Sequence, residues 1–236
     1  MYTIEIRMST PEEKMAGKSS TIIYEQIKQD IIRNEYKAHQ RIAEDELAKK
    51  FGISRTPVRE AIRMLEQDGF VCCIKNVGTF IRPISAGEIG DFFDVRGVLE
   101  GLTARLAAKK ADAEFIADLK SLAATAIDAH EARNLEAANA LDTQFHNRIN
   151  TFAGNGFAEK YLTSMSDRLM WFLNISNLSR IDYLGSVPFN KMENSHDKLI
   201  AAIESGDPEI AERCARAHVE EAKQFFIDYC YNKFML

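Results

Sequence analysis

The feature that most constrains this chain is a tight turn running into an arginine-striped helix, Gly52-Ile53-Ser54-Arg55-Thr56-Pro57-Val58-Arg59-Glu60-Ala61-Ile62-Arg63-Met64-Leu65. Before it, Glu44-Asp45-Glu46-Leu47-Ala48-Lys49-Lys50-Phe51 places acids at the start and lysines near the end of a short helix, as the helix macrodipole favours. Gly52 can adopt the left-handed conformation that ends a helix. Ser54 can cap the next helix, and Pro57 is tolerated in a first turn, where amide donors have no partner to lose. Two short helices joined by a glycine-containing turn form a helix-turn-helix.

The neighbouring segments extend this motif. Ile22, Ile23, Ile27, Ile31 and Ile32 recur at three- and four-residue steps and predict an apolar helix face from Ser19 onward. Gly69 ends the striped helix. Phe70–Lys75 and Thr79–Arg82 are β-prone runs, with Asn76-Val77-Gly78 between them, so a hairpin follows. A helix-turn-helix with a trailing hairpin is a winged helix. Pro83, Ser85 and Gly87 mark the domain boundary. Residues 1–18 show no sustained period and read as a flexible tail.

Arg55, Arg59 and Arg63, four residues apart, share one helix face, and Val58, Ile62 and Leu65 form the adjoining apolar one. The stripe alone fits a solvated basic helix as well as a DNA reader. The turn, the cap and the hairpin favour the reader. Arginine suits bidentate contact with guanine O6/N7 and with phosphate. Arg55, Thr56 and Arg59, near the helix start, would enter the major groove, and Lys75, Asn76, Gly78 and Thr79 of the wing would meet phosphate or the minor groove. The net charge of −5 is uninformative until divided: residues 19–84 carry +2 and residues 85–236 carry −7.

From Ala86 onward only helical periodicity is found, in runs of roughly 86–110, 113–132, 134–152, 156–178, 188–205 and 208–233. Gly154, Gly156, Pro188 and Gly206-Asp207-Pro208 punctuate them, with Asp207 as a cap and Pro208 at a first helical position. The fold class expected is mostly α: a winged helix-turn-helix at 19–84 and an all-α helical bundle at 85–236.

The bundle carries two sets of chemically unusual residues. Asp142 and His146 stand at i and i+4 on one helix, and His196 and His218 fall on two later helices. A bundle can bring groups from three helices to one point, and three imidazoles with a carboxylate suit Zn²⁺, Ni²⁺, Co²⁺ or Mn²⁺. Spacing alone favours core or surface histidines over a metal site. Arg96 and Arg168 sit on apolar helices and each needs an anionic partner, either an acid such as Glu100 one turn from Arg96, or the carboxylate of a bound ligand. Cys72, Cys73, Cys214 and Cys230 form no C-x-x-C motif and read as reduced thiols; Cys214, one turn before His218, is either a cavity residue or a small core hydrophobe. No signal-like segment and no uninterrupted apolar run of about 18 residues is present, so a cytoplasmic protein with no membrane span is expected.

Taken together, Asp45–Ala48, the Ser54-Arg55-Thr56-Pro57-Val58-Arg59-Glu60-Ala61 core and Leu65–Phe70 resemble the winged-helix domain of GntR-family bacterial transcription regulators. Val95–Glu100, Asp142 with Phe145-His146, His196 with Leu199 and Ile200, and His218 resemble the FadR-type, or FCD, C-terminal domain. The resemblance implies a homodimer on a palindromic operator and no enzyme activity. It implies a divalent ion on Asp142, His146, His196 and His218, with zinc as the leading candidate. It also implies a small organic or sugar acid effector that coordinates the ion and meets Arg96, with Arg168 a second effector-binding candidate. The function expected is a metabolite-responsive repressor; the alternative is a regulator in which the ion itself is the signal. The chain departs from the family at Asn34 and His39, where glycine is usual, and at Asp45, where some members carry arginine.

Overall fold

The computed structural model describes residues 11–175 and 190–234, and the chain divides into two compact units, Met1–Ile84 and Ser85–Leu236. The first unit comprises α1 (Pro11–Ile32), β1 (Arg41–Ile42), α2 (Glu44–Phe51), α3 (Arg55–Gln67), β2 (Val71–Ile74) and β3 (Gly78–Ile81). The second comprises α4 (Ala86–Ala108), α5 (Ala113–Glu131), α6 (Leu135–Ala153), α7 (Gly156–Ile175), α8 (Asn190–Glu204) and α9 (Pro208–Phe234). Among the described residues no helix is long and apolar enough to cross a membrane. Residues 1–10, the stretches 176–178 and 188–189 expected to be helical, and the Cys230 side chain lie outside the described part.

In the first unit, helix begins at Pro11 rather than Ser19, so residues 11–18 of the expected tail are helical. Proline's fixed φ suits a first helical position. Ile23, Ile27, Ile31 and Ile32 of α1 are buried with Leu47 of α2 and Val58, Ile62 and Leu65 of α3. Ile22, expected on that face, is instead 60% exposed; it lies about 100° around the helix from Ile23, which takes the inward position.

Gly52 closes α2 at φ 65°, and its N–H bonds to the carbonyls of Ala48 and Lys49. Ser54 has the extended backbone of a cap residue at α3, but its side chain accepts no capping bond. The sheet has one strand more than expected. β1 pairs antiparallel with β3 (Arg41 opposite Phe80), and β3 pairs with β2, giving the order β1-β3-β2. The turn into β1 uses Asn34 at φ 60° and His39 at φ 64°, the two positions where glycine was missed. Asparagine and histidine are among the non-glycine residues most tolerant of this region.

The second unit is a helical bundle. Its core joins Ala104 and Ala107 of α4, Phe115 and Leu119 of α5, Phe145 and Ile149 of α6, Leu199 and Ile203 of α8, and Ala211 and Ala215 of α9. Phe115 and Phe152 stack at 3.7 Å between centroids. Side-chain caps define several helix starts: Ser85 accepts from Glu88 N–H, Asp112 from Phe115 N–H, and Asp207 from Glu209 and Ile210 N–H. The packing of α9 on α4 is close because α4 offers glycine there. A Cβ on Gly101 would come within 3.0 Å of Arg216 Cγ, and one on Gly97 within 3.6 Å of Val219. This close approach sets His218 of α9 opposite the middle of α4.

Candidate functional site

The DNA-facing candidates lie on α3 and on the wing of the first unit. Arg55, Thr56 and Arg59 project from the start of α3, while Pro57, Val58, Ala61 and Ile62 turn inward. Both arginines are held by acids of α2: Arg55 Nε lies 2.5 Å from Asp45 Oδ1, and Arg59 Nε donates to Glu44 Oε2 at 2.7 Å. Pairing through Nε leaves the two terminal guanidinium nitrogens of each arginine, the pair suited to bidentate contact with a base edge.

On the wing, Lys75 and Asn76 are exposed, and Asn76 takes φ 63° in the turn. Gly78 stands under Arg41, whose Nε would lie 2.9 Å from a Cβ built there. Thr79 corrects the expectation: it is only 7% exposed, and its hydroxyl contacts Cys73 Sγ at 3.4 Å. Strand alternation turns Thr79 inward between Gly78 and Phe80. Arg41, exposed on β1, adds a cation to this surface that sequence reading missed, because a two-residue strand leaves no periodic signal.

In the second unit, His146 of α6, His196 of α8 and His218 of α9 converge. Their ring centroids form a near-equilateral triangle with sides of 5.0, 5.0 and 5.5 Å. One nitrogen from each lies within 4.8 Å of the others, and His146 Nε2 and His218 Nε2 are 3.2 Å apart. Asp142, one turn before His146, places Oδ1 3.3 Å from His196 Nε2. That nitrogen is buried, and its contact with Asp142 is not aligned as a hydrogen bond. Two nitrogens bound to one tetrahedral ion at about 2.0–2.1 Å stand about 3.3 Å apart, so this donor set fits a divalent ion. An ion would satisfy His196 Nε2, which lacks an aligned hydrogen bond.

The electrostatics favour a cation at this point. Burial pushes the Asp142 carboxyl up, but His196 and the charges of His146 and His218 outweigh it and hold Asp142 well below the usual carboxylate range. Burial, then repulsion from His146 and His196, lowers His218 to about 3. His146 moves the other way: burial lowers it, but the charge and hydrogen bond of Glu100 and the charge of Asp142 raise it above an ordinary histidine.

A cavity of about 30 Å³ lies beside His146, walled by Phe92 and Arg96 of α4, Asp142, His146 and Asn150 of α6, and Met165 and Leu169 of α7. That is room for an ion's remaining ligands or a few waters. Arg96 lines it and pairs through Nε with Glu100. Arg168 does not. Met165 and Leu169, one turn apart, face the cavity, whereas Arg168 points about 100° away, lies 3.6 Å from Glu88 and covers the Trp171 ring at 5.0 Å. Its anionic partner is thus an acid of the protein. Cys214 is a free thiol packed against the apolar core and is not in the histidine group.

An arginine-bearing winged helix is joined in one chain to a helical domain with a largely buried histidine cluster, the architecture of a DNA-binding transcription regulator. Residues 20–81 match the gntR family of bacterial regulatory proteins, and residues 91–221, more than half the chain, match the FCD domain. The chain therefore belongs to the GntR family, in the group with an FCD domain. It is 30% identical over 196 residues to the HTH-type transcriptional regulator YdhC of Bacillus subtilis (strain 168), covering 83% of this chain and 85% of that one. It is 23% identical over 170 residues to the gluconate operon transcriptional repressor of Bacillus licheniformis, covering 72% and 69%. The fold is shared with Escherichia coli McbR/YncC at a TM-score of 0.66 and 17% identity, covering 89% of this chain and 97% of that one.

Proposed function

We propose that the protein is a cytoplasmic, homodimeric repressor whose affinity for a palindromic operator is set by a small organic or sugar acid bound at a divalent ion in the FCD domain. The observation that carries this reading is the shared wall of the cavity: Arg96 lines it together with Asp142 and His146. A carboxylate entering there would meet a guanidinium on one side and an ion on the other. Asp142, His146, His196 and His218 would hold the ion, and its positive charge would draw the acid in. Arg55, Thr56 and Arg59 would read bases, with Arg41, Lys75 and Asn76 on phosphates. The effector acts by binding one conformation of the dimer better than another, which is a coupling free energy between the two sites. The named relative from B. licheniformis, a repressor of a gluconate operon, supports a sugar-acid effector.

Self-association is supported by exposed apolar side chains on α4 and α7, Val95 and Tyr161, which line one groove, with Val98 and Phe157 also exposed. Clusters of this kind on a soluble domain mark association surfaces. Zinc suits the mixed nitrogen and oxygen donors, with Ni²⁺, Mn²⁺ and Co²⁺ as competitors.

The small cavity favours a second reading, in which the ion alone is the signal. One titration separates the two. Operator release is followed by fluorescence anisotropy, with Zn²⁺ alone and then with a panel of organic and sugar acids at fixed Zn²⁺. Release only when an acid is added supports the first reading. Release by Zn²⁺ alone, unmoved by every acid, replaces it with the second.

A further inference from the structure

Glu100 stands outside the set of metal-binding residues that the family resemblance implies, yet it touches both halves of the site. It is 5% exposed, on α4 one turn after Arg96. Its Oε1 accepts from Arg96 Nε, and its Oε2 lies 3.1 Å from His146 Nδ1. The two oxygens of one carboxylate are thus divided between the guanidinium that lines the cavity and the imidazole that lies among the other two. With the Nδ1 proton of His146 committed to Glu100, the lone pair of the neutral ring falls on Nε2. That is the atom 3.2 Å from His218 Nε2, facing the centre of the histidine group.

The geometry points to Glu100 as a positioning residue of the metal centre: it fixes His146 as an Nε2 ligand and ties that ring to Arg96. This rests on the reading of the histidine cluster as a metal site given above. A histidine ligand whose second nitrogen donates to a carboxylate is oriented in its useful tautomer and made more basic, and loss of such a partner weakens metal binding by about 10- to 100-fold. The shared carboxylate also has a regulatory consequence. An organic acid that draws Arg96 toward itself changes how Glu100 holds His146. Metal and acid then influence each other's affinity through one side chain, and by linkage they do so equally in both directions.

The test uses the full-length, metal-stripped protein. Zn²⁺ affinity is measured by competition with a chromophoric chelator for the wild type, Glu100→Gln and the double variant Arg96→Met/Glu100→Leu, which replaces the buried pair with apolar groups. In parallel, long-range ¹H–¹⁵N spectra at alkaline pH report which His146 nitrogen carries the proton. We expect the wild-type ring to be protonated on Nδ1. Zn²⁺ affinity should fall about 10- to 100-fold in the double variant and by less in Glu100→Gln, which keeps an acceptor. The double variant should show a mixture of His146 tautomers. A wild-type ring protonated on Nε2 overturns the proposal without recourse to any variant. Variants that bind Zn²⁺ within twofold of the wild type, with an unchanged tautomer, overturn the role of Glu100 and leave the metal reading intact. A wild-type protein that binds none of Zn²⁺, Ni²⁺, Mn²⁺ or Co²⁺ overturns both.

Discussion

Arg59 donates through Nε to Glu44 at 2.7 Å, so an acid of α2 holds an exposed arginine of α3 across the helix-turn-helix. Asp45 does the same for Arg55 at 2.5 Å. Because Nε is the engaged atom, the outer edge of each guanidinium stays open.

Replacing either arginine should therefore remove base recognition without disturbing the fold. A good bidentate contact discriminates by about 1–3 kcal/mol. Arg55→Ala and Arg59→Ala should each weaken specific operator binding by a factor on the order of 10–100 in a salt-controlled titration, with unchanged circular dichroism. Wild-type operator affinity in both variants would remove α3 from the role of reader.

Asp45 should temper nonspecific binding. It is exposed, so its pairing with Arg55 is weak in stability terms. In the proposed complex its negative charge would lie beside Arg55 at the duplex and oppose the phosphates. Asp45→Asn should raise affinity for nonspecific DNA and steepen the salt dependence, since an unopposed cation releases up to about one more counterion. A flat or shallower salt slope in the variant would show that Asp45 does not face the duplex.

The metal-free protein should show two histidines titrating in opposite directions. His218 is lowered to about 3, so the unfolded chain takes up a proton that the folded chain refuses. Its effect is fully favourable above the ordinary histidine value of about 6.5 and is lost as pH falls through that value toward 3. His146 is raised, so its contribution is present below about 6.5 and disappears as pH rises through its elevated value. Proton NMR of the imidazole rings should show His146 still charged at a pH where His218 is neutral. In melting curves, His218→Leu should lose less stability between pH 7 and pH 5 than the wild type. Identical pH profiles would mean that His218 is not sequestered as described.

The close packing of α4 on α9 should be sensitive at Gly101. A Cβ there meets the flexible Arg216 and Glu212 side chains at 3.0–3.3 Å, which can yield, so Gly101→Ala should be nearly neutral once its gain in helix propensity is included. Gly101→Leu has no such space and should cost about 1–3 kcal/mol in denaturant unfolding. It should also weaken Zn²⁺ binding, because His218 lies on the displaced helix. Full stability in Gly101→Leu would contradict the described spacing.

His39, at φ 64°, should prefer glycine to a branched side chain. The left-handed region costs a non-glycine residue about 1–2 kcal/mol, against about 0.5–1 kcal/mol of extra chain entropy for glycine. His39→Gly should be neutral or stabilising by up to about 1 kcal/mol, and His39→Val destabilising by about 1–2 kcal/mol, by chemical denaturation. Equal stability of the two would show that the turn relaxes out of this conformation.

Much of this was legible in the chain because it is local. The helices of the bundle follow from three- and four-residue apolar steps and from Asp207-Pro208. The turn at Gly52 follows from glycine's access to positive φ, and the arginine face of α3 from the spacing of Arg55 and Arg59. Resemblance to a family supplied the grouping of Asp142, His146, His196 and His218. Spacing alone left that grouping open, because two residues more than 20 positions apart carry no mark of sharing a point in space. Misplaced details were of one kind, a side chain one helical or strand position from where it was expected: Ile22 turned outward, Thr79 turned inward, and Arg168 faced Glu88 instead of the cavity. β1 was missed because two residues cannot show a period.

The sequence by itself determined the longer elements, their order and the class of protein they build, since each depends on backbone preferences and on contacts a turn or a strand apart. The tertiary structure alone decided that Glu100 stands between Arg96 and His146, that Glu44 and Asp45 hold the arginines of α3, and that α9 lies close enough to α4 for His218 to face His146. Those relationships depend on the azimuth of one helix against another. Packing sets that azimuth to within a fraction of a turn, and no stretch of sequence encodes it on its own.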